Sequence, residues 1–179
     1  MNAKVYHRLS IMLLVLLFVP AYDGEREFER NAYYEYELVT TEQGLSQGLV
    51  MNILEDHRGY IWLATPGGLD RYDGVEFDHF YHNPADSNSL SLNEVNAMFE
   101  DRFGRLWLGM MDGEINVIDR ERQNVHRIPS DTQLVDKRWG EIKTFREMPS
   151  GEIVFLDRLG RIGKISVGSD WSEVEALDS

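Results

Sequence analysis

Asp56-His57-Arg58-Gly59-Tyr60-Ile61-Trp62-Leu63 is met again as Asp101-Arg102-Phe103-Gly104-Arg105-Leu106-Trp107-Leu108, 45 residues further along the chain. Working outward at that offset, Leu45-Ser46, Val50 and Glu55 fall on Leu90-Ser91, Val95 and Glu100, and Gly68 falls on Gly113. A worn third copy follows at an offset of 47, with Ile142 on Val95, Gly151 on Gly104, Ile153 on Leu106, Val154 on Trp107 and Gly160 on Gly113. In that copy Val replaces Trp and Met148 replaces Asp. A period of this length with one Trp per unit marks stacked supersecondary units, none of which buries its faces alone.

Each unit reads as four short strands. Val50 to Glu55 and Tyr60 to Thr65 flank Asp56-His57-Arg58-Gly59, whose Asp can accept from turn amides and whose Gly can take positive φ. Pro66-Gly67-Gly68 reverses the chain into Leu69 to Tyr72, and Asp73-Gly74 turns it again into Val75 to Tyr81, which supplies aromatics to bury. Asn83 to Ser89 connects to the next unit, and no stretch sustains a helical period. The pattern predicts an all-β fold, a partial β-propeller of about three four-stranded blades. An N-terminal strand is expected over 34–44 (Tyr34 to Thr40), then blades over 45–89, 90–136 and 137–179, the last with an outer strand at Ser172 to Ala176.

The residues before the repeats belong to another kind of segment. Lys4 and Arg8 precede an apolar run of nine, Ile11 to Val19, and Pro20-Ala21 closes it before the polar Tyr22-Asp23-Gly24-Glu25. That order is that of a secretory signal peptide over 1–21, cleaved after Ala21, with 22–33 a linker. Crossing the hydrocarbon takes about 20 apolar residues, so no membrane span is expected once the peptide is removed. Cleavage removes two cations and takes the formal charge from −13 to −15. A chain so acidic repels nucleic acid and anionic membranes. With no Cys there is no disulfide, thiolate metal site or thiol nucleophile.

The run from Leu45 through Tyr81 has the core Asp56-x-x-Gly59-x-x-Trp62-Leu63-x-Thr65, the continuation Gly68-Leu69-x-Arg71-Tyr72-Asp73-Gly74 and the connector Asn83-Pro84 to Ser91. It resembles the two-component regulator propeller repeat, over roughly Tyr34 to Val167. The resemblance implies the periplasmic sensor region of a hybrid two-component histidine kinase, of which this chain would be an N-terminal piece without kinase activity. It further implies a carbohydrate ligand, mono- or oligosaccharide. Propellers need about four to eight blades to close, so the remaining blades or other copies of the chain are expected partners.

Two enzyme-bearing neighbours fit less well. Sialidase-type Asp-boxes place Gly two residues after Asp, whereas Asp56 to Gly59 and Asp101 to Gly104 are three apart. Quinoprotein propellers use a longer Asp-to-Trp spacing with a Thr-Gly pair. A propeller lyase or hydrolase is the alternative reading, and no motif here names a catalytic residue, a metal site or a cofactor. His79 and His82, three apart in a strand, point to opposite faces and cannot share a metal. Trp62 and Trp107 are expected between blades, and Asp56, Gly59, Asp101 and Gly104 are expected to make turns. Ligand contacts are expected where loops between second and third strands converge: 65–68, 110–113 and 156–160, with Gln47, Asn93 and Trp139 beside them. Sugars take planar polar partners and an aromatic face, which Asp112, Trp139, Asp157 and Arg158 offer.

Overall fold

The computed structural model describes residues 37–128, 139–167 and 174–177. The expected signal peptide and linker lie outside the described residues, and no described helix is long and apolar enough to cross a membrane.

Three antiparallel four-stranded sheets follow one another. Blade 1 is β1 (Asn52–Glu55), β2 (Ile61–Thr65), β3 (Gly68–Tyr72) and β4 (Phe77–Phe80), hydrogen-bonded in chain order. Blade 2 repeats the order with β5 (Val95–Glu100), β6 (Leu106–Met110), β7 (Ile115–Ile118) and β8 (Val125–Ile128). Blade 3 does so with β9 (Ile142–Glu147), β10 (Ile153–Asp157), β11 (Ile162–Val167) and β12 (Val174–Leu177). The first strands are neighbours in space, β5 lying against β1 on one side and β9 on the other, as in consecutive propeller blades.

Strand burial shows which faces are covered. Every residue of β6 and β7 is buried, because blade 2 has a neighbour on each side. In β10 buried and half-buried residues alternate, and β2 does the same over its first four residues, so each of these strands is covered on one face. Trp62, Ala64 and Leu69 of blade 1 meet Leu90, Val95, Leu106, Leu108 and Met110 in one core. Trp107, Ala97, Ile115 and Val117 of blade 2 meet Ile142, Phe145, Ile153 and Phe155 in a second. Both Trp residues are fully buried between blades, as the sequence predicts.

One expected strand is not formed over its described part. Residues 37–40 carry no strand, and residues 34–36 lie outside the described residues. Thr40 instead caps a short 3-10 turn, Thr41–Gln43: its hydroxyl accepts from the Glu42 amide while the Gln43 side chain reaches back to the Thr40 amide. This reciprocal cap satisfies locally the groups a strand would have left to a partner. Gly44, at φ 113°, ends the turn.

Candidate functional site

The repeat motif is a device for fixing a turn and a tryptophan together. Asp56 Oδ1 accepts from the amides of Arg58 and Tyr60, closing the β1–β2 turn, while Oδ2 accepts from the Trp62 indole at 2.9 Å. Asp101 does the same with Phe103, Arg105 and Trp107, again with 2.9 Å to the indole. Gly59 and Gly104 sit at φ 84° and 77°, where a side chain is strained. A separation of six positions from Asp to Trp is what this geometry requires: four steps carry the chain round the turn and two more put the ring on the Asp side of β2.

The same turns join one blade to the next. The amide of His57, the residue after the motif Asp, donates to Glu100 of blade 2, and its ring Nδ1 lies 2.6 Å from the same carboxylate. Arg102, at the equivalent place in blade 2, bonds Glu147 of blade 3 through both its amide and its guanidinium. The Glu before the motif Asp is thus the acceptor for the preceding blade.

Arg122 has no forecast in the repeat. It lies in the β7–β8 turn, where Asp119-x-x-Arg122 has the Asp-x-x-Gly spacing with Arg in the glycine place, and it takes φ 63°. That left-handed conformation costs about 1–2 kcal/mol for a residue with a side chain. Its buried guanidinium donates to Asp56 of blade 1 at 2.9 Å, and to Glu100 at 2.7 Å and the Gly104 carbonyl at 2.9 Å in blade 2. It also covers the Trp62 ring, 5.4 Å from its centroid. Arg122 is therefore a staple across the blade 1 to blade 2 junction, held in its strained conformation by the carboxylates it joins.

Burial by itself would raise the Asp56 pKa. The Trp62 indole, the Arg58 amide, the Arg122 guanidinium and the Tyr60 amide outweigh it and leave the carboxyl below its ordinary value of 3.8. A carboxyl lowered on folding adds stability above its unfolded pKa, about 3.9, and loses it as pH falls through the folded value. The stability gap between the wild type and Asp56→Asn is therefore expected to be full at neutral pH and to narrow as pH falls below about 4. Urea titrations at a series of pH values check this. A gap that stays constant into strong acid would show that the carboxylate charge is not what Asp56 contributes.

The residues expected to meet a ligand fall in one neighbourhood. The β6–β7 turn holding Asp112 approaches the segment entering blade 3 so closely that a Cβ on Gly113 would lie 2.2 Å from the Trp139 carbonyl oxygen. Trp139 is half-buried, edge-on to Phe155 at 4.8 Å, with the Arg161 guanidinium 5.2 Å from its ring. Asp112 and Arg158 are exposed, and the Arg158 amide donates to the Glu141 carbonyl at 2.8 Å. Asp157 is buried at the end of β10 and repeats the part of Asp56: Oδ1 takes the Leu159 and Arg161 amides, and Oδ2 takes the Gly140 amide and the Arg161 guanidinium. It ties the β10–β11 turn to the segment carrying Trp139. His79 and His82 do not converge, since His79 bonds Asp70 and His82 bonds the Leu90 carbonyl. No cluster of metal-ligating side chains occurs among the described residues.

Comparison with known proteins agrees with this geometry. The family model of the two component regulator propeller matches residues 44–67 and 89–112. Histidine kinase P4 of Formosa agariphila is 37% identical over 62 residues, which is 35% of this chain and 4% of that protein. Among solved structures, the extracellular domain of BT3049 from B. thetaiotaomicron, described as a hybrid two component system, superposes with a TM-score of 0.65 at 19% identity, covering 79% of this chain and 20% of that one. The extracellular domain of BT4673 from the same organism gives a TM-score of 0.56 at 25% identity, covering 74% and 19%. Streptogramin B lyase shares the fold at a TM-score of 0.52 and 14% identity, over 82% of this chain and 44% of the lyase. The chain thus spans a small part of the sensor proteins it matches. The two segments that match the family model each fold around an Asp-capped turn and a buried Trp, so blades 1 and 2 of this stretch of β-propeller each carry a two-component regulator propeller repeat.

Proposed function

We propose that this chain is an exported, ligand-sensing propeller module of the kind found in hybrid two-component sensor kinases, responding to a carbohydrate and acting without kinase chemistry of its own. The observation that carries the reading is the joining of the β6–β7 turn, the Trp139 segment and the β10–β11 turn at one end of blades 2 and 3. Asp112, Trp139 and Arg158 offer a carboxylate, an aromatic face and a guanidinium there, and Asp157 holds their backbone in place. Further blades, from the same protein or from other copies, are the partners this reading expects. Glu55 is the exposed counterpart of Glu100 and Glu147, each of which takes the amide of a preceding blade. The lyase or hydrolase alternative rests on likeness of fold, which does not carry an activity.

Calorimetric titration of the purified chain against a panel of neutral and acidic mono- and oligosaccharides tests the ligand. One sugar is expected to bind, and Trp139→Ala is expected to weaken it about tenfold or more, the loss of one stacking face. A panel without heat, or a Trp139→Ala variant that binds as the wild type does, would contradict the reading. Export is tested separately. Intact-mass measurement of the periplasmic product is expected to show a chain beginning at Tyr22, and retention of Met1 would contradict it.

A further inference from the structure

Blades 1 and 2 are entered by connectors of the same kind, and a difference in the strands beside them leaves a cavity in blade 1. In blade 2 the connector that enters the blade makes a turn in which the Ser89 amide donates to the Asp86 carbonyl, and the Ser91 amide then donates to the Asn116 side chain at 2.7 Å. In blade 1 the same turn is made by Gly44 and Thr41, and the Ser46 amide donates to the Asp70 carboxylate at 2.8 Å. Leu45 and Leu90 are buried at matching places.

The strand paired beside that anchor differs. Asn116 faces Arg127 across β7 and β8, and Arg127 threads its guanidinium into the connector, donating to the Ser89 carbonyl at 2.8 Å, the Asp86 carbonyl at 2.9 Å, the Ser89 hydroxyl at 2.8 Å and the Leu90 carbonyl at 3.2 Å. Asp70 faces His79 across β3 and β4 instead. The shorter imidazole stops at Asp70, Nδ1 to Oδ1 at 2.8 Å, and no described group bonds its other nitrogen. What Arg127 fills in blade 2 is in blade 1 a cavity of about 310 Å³. It is lined by Thr41, Gly44 and Leu45, the counterparts of the residues Arg127 holds, together with Asp70, His79 and Tyr81.

The tether does not need a charge, since the neutral Asn116 makes it in blade 2. The tether alone therefore does not account for a carboxylate at Asp70, whose other oxygen pairs with His79. The blade 1 connector repeats the backbone that receives Arg127, with Gly44 in place of Ser89 and its hydroxyl, and it shares the cavity with the second imidazole nitrogen and with the Asp70 carboxylate, whose oxygens also take Ser46 and His79. We propose that this cavity binds a guanidinium group on a short alkyl chain, which takes in blade 1 the place of the Arg127 side chain. This site lies apart from Asp112, Trp139, Asp157 and Arg158, and the proposal does not depend on the carbohydrate reading.

Calorimetric titration with agmatine tests a free small molecule, and a blocked Gly-Arg-Gly peptide tests an arginine side chain of a partner. Butylamine, a cation without the planar fork, and the sugar panel serve as comparisons. Agmatine or the peptide is expected to bind, with butylamine weaker by about tenfold or more; the tighter of the first two names the source. His79→Arg is expected to abolish binding and to raise the melting temperature, because the new side chain repeats the anchoring of Arg127. Asp70→Asn keeps the tether that Asn116 shows to be sufficient and is expected to weaken binding about tenfold or more. Trp139→Ala is expected to leave it unchanged. Absence of binding by both guanidinium probes, or binding that survives His79→Arg and Asp70→Asn, would overturn the proposal.

Discussion

Trp107→Ala is expected to destabilise the folded chain by about 3–5 kcal/mol, the usual cost of emptying a large aromatic site in a core that cannot collapse around it. The ring is fully buried between blades 2 and 3 and tilted against Phe145 at 6.3 Å. Its indole nitrogen bonds Asp101, so the substitution also takes a donor from a buried carboxylate. Both faces of blade 2 are covered, which leaves little freedom for its strands to close on the void. Domains of this kind are stable by about 5–15 kcal/mol, so the variant is expected to lie close to unfolding at room temperature. Urea titration followed by far-UV circular dichroism reads the change. A loss below about 1 kcal/mol would show that the Trp is not what holds blades 2 and 3 together.

Arg122→Met is expected to cost about 3–5 kcal/mol, for a different reason. The guanidinium is the shared partner of Asp56 and Glu100, and its removal leaves two acidic side chains of adjacent blades near one another in a poorly solvated place. The long apolar Met keeps the packing over Trp62, so the measured loss reports the charge and its hydrogen bonds. Arg122→Gly separates the backbone from the staple. It relieves the left-handed conformation at φ 63° and still removes the guanidinium. The glycine variant is expected to remain less stable than the wild type. Equal or greater stability would show that the residue contributes nothing beyond its strain. Glu100→Gln in the Arg122→Met background is expected to restore part of the loss, because it removes one of the two stranded charges.

How far the sequence could be read depends on how local each cause is. The Asp-x-x-Gly-x-x-Trp spacing was legible because every partner lies within six residues: the Asp caps its own turn and accepts from the indole of the next strand. Propeller architecture followed from the repeat period, and the alternation in β2 and β10 follows from which faces are covered. Arg122 was not legible because its carboxylate partners stand 66 and 22 residues away, and only the Asp119-x-x-Arg122 spacing hints at a turn with the wrong residue in the glycine place. Over its described residues, 37–40, the strand expected at the N-terminus gives way to the reciprocal cap of Thr40 and Gln43, a choice between two locally satisfactory bonding patterns. At the candidate ligand site, the approach of the β6–β7 and β10–β11 turns to the segment carrying Trp139 was legible from topology. The use of Asp157 was written in its own Asp157-x-x-Gly160 spacing, which marks it as a turn former in the manner of Asp56. Third-blade wear also has a physical counterpart. Met148 keeps the backbone turn, accepting from Gly151 at 2.9 Å, without the carboxylate that caps the turns of blades 1 and 2.

The proposed place of carbohydrate sensing is the end of the blades where the β6–β7 and β10–β11 turns meet Trp139. Hydrogen exchange read by mass spectrometry, with and without a saturating amount of the sugar that binds in the panel titration, tests it most directly. Protection is expected in peptides covering 110–113, 139–141 and 156–161, with little change in β1 to β4. Protection confined to other loops, or no protection anywhere at saturating sugar, would contradict it.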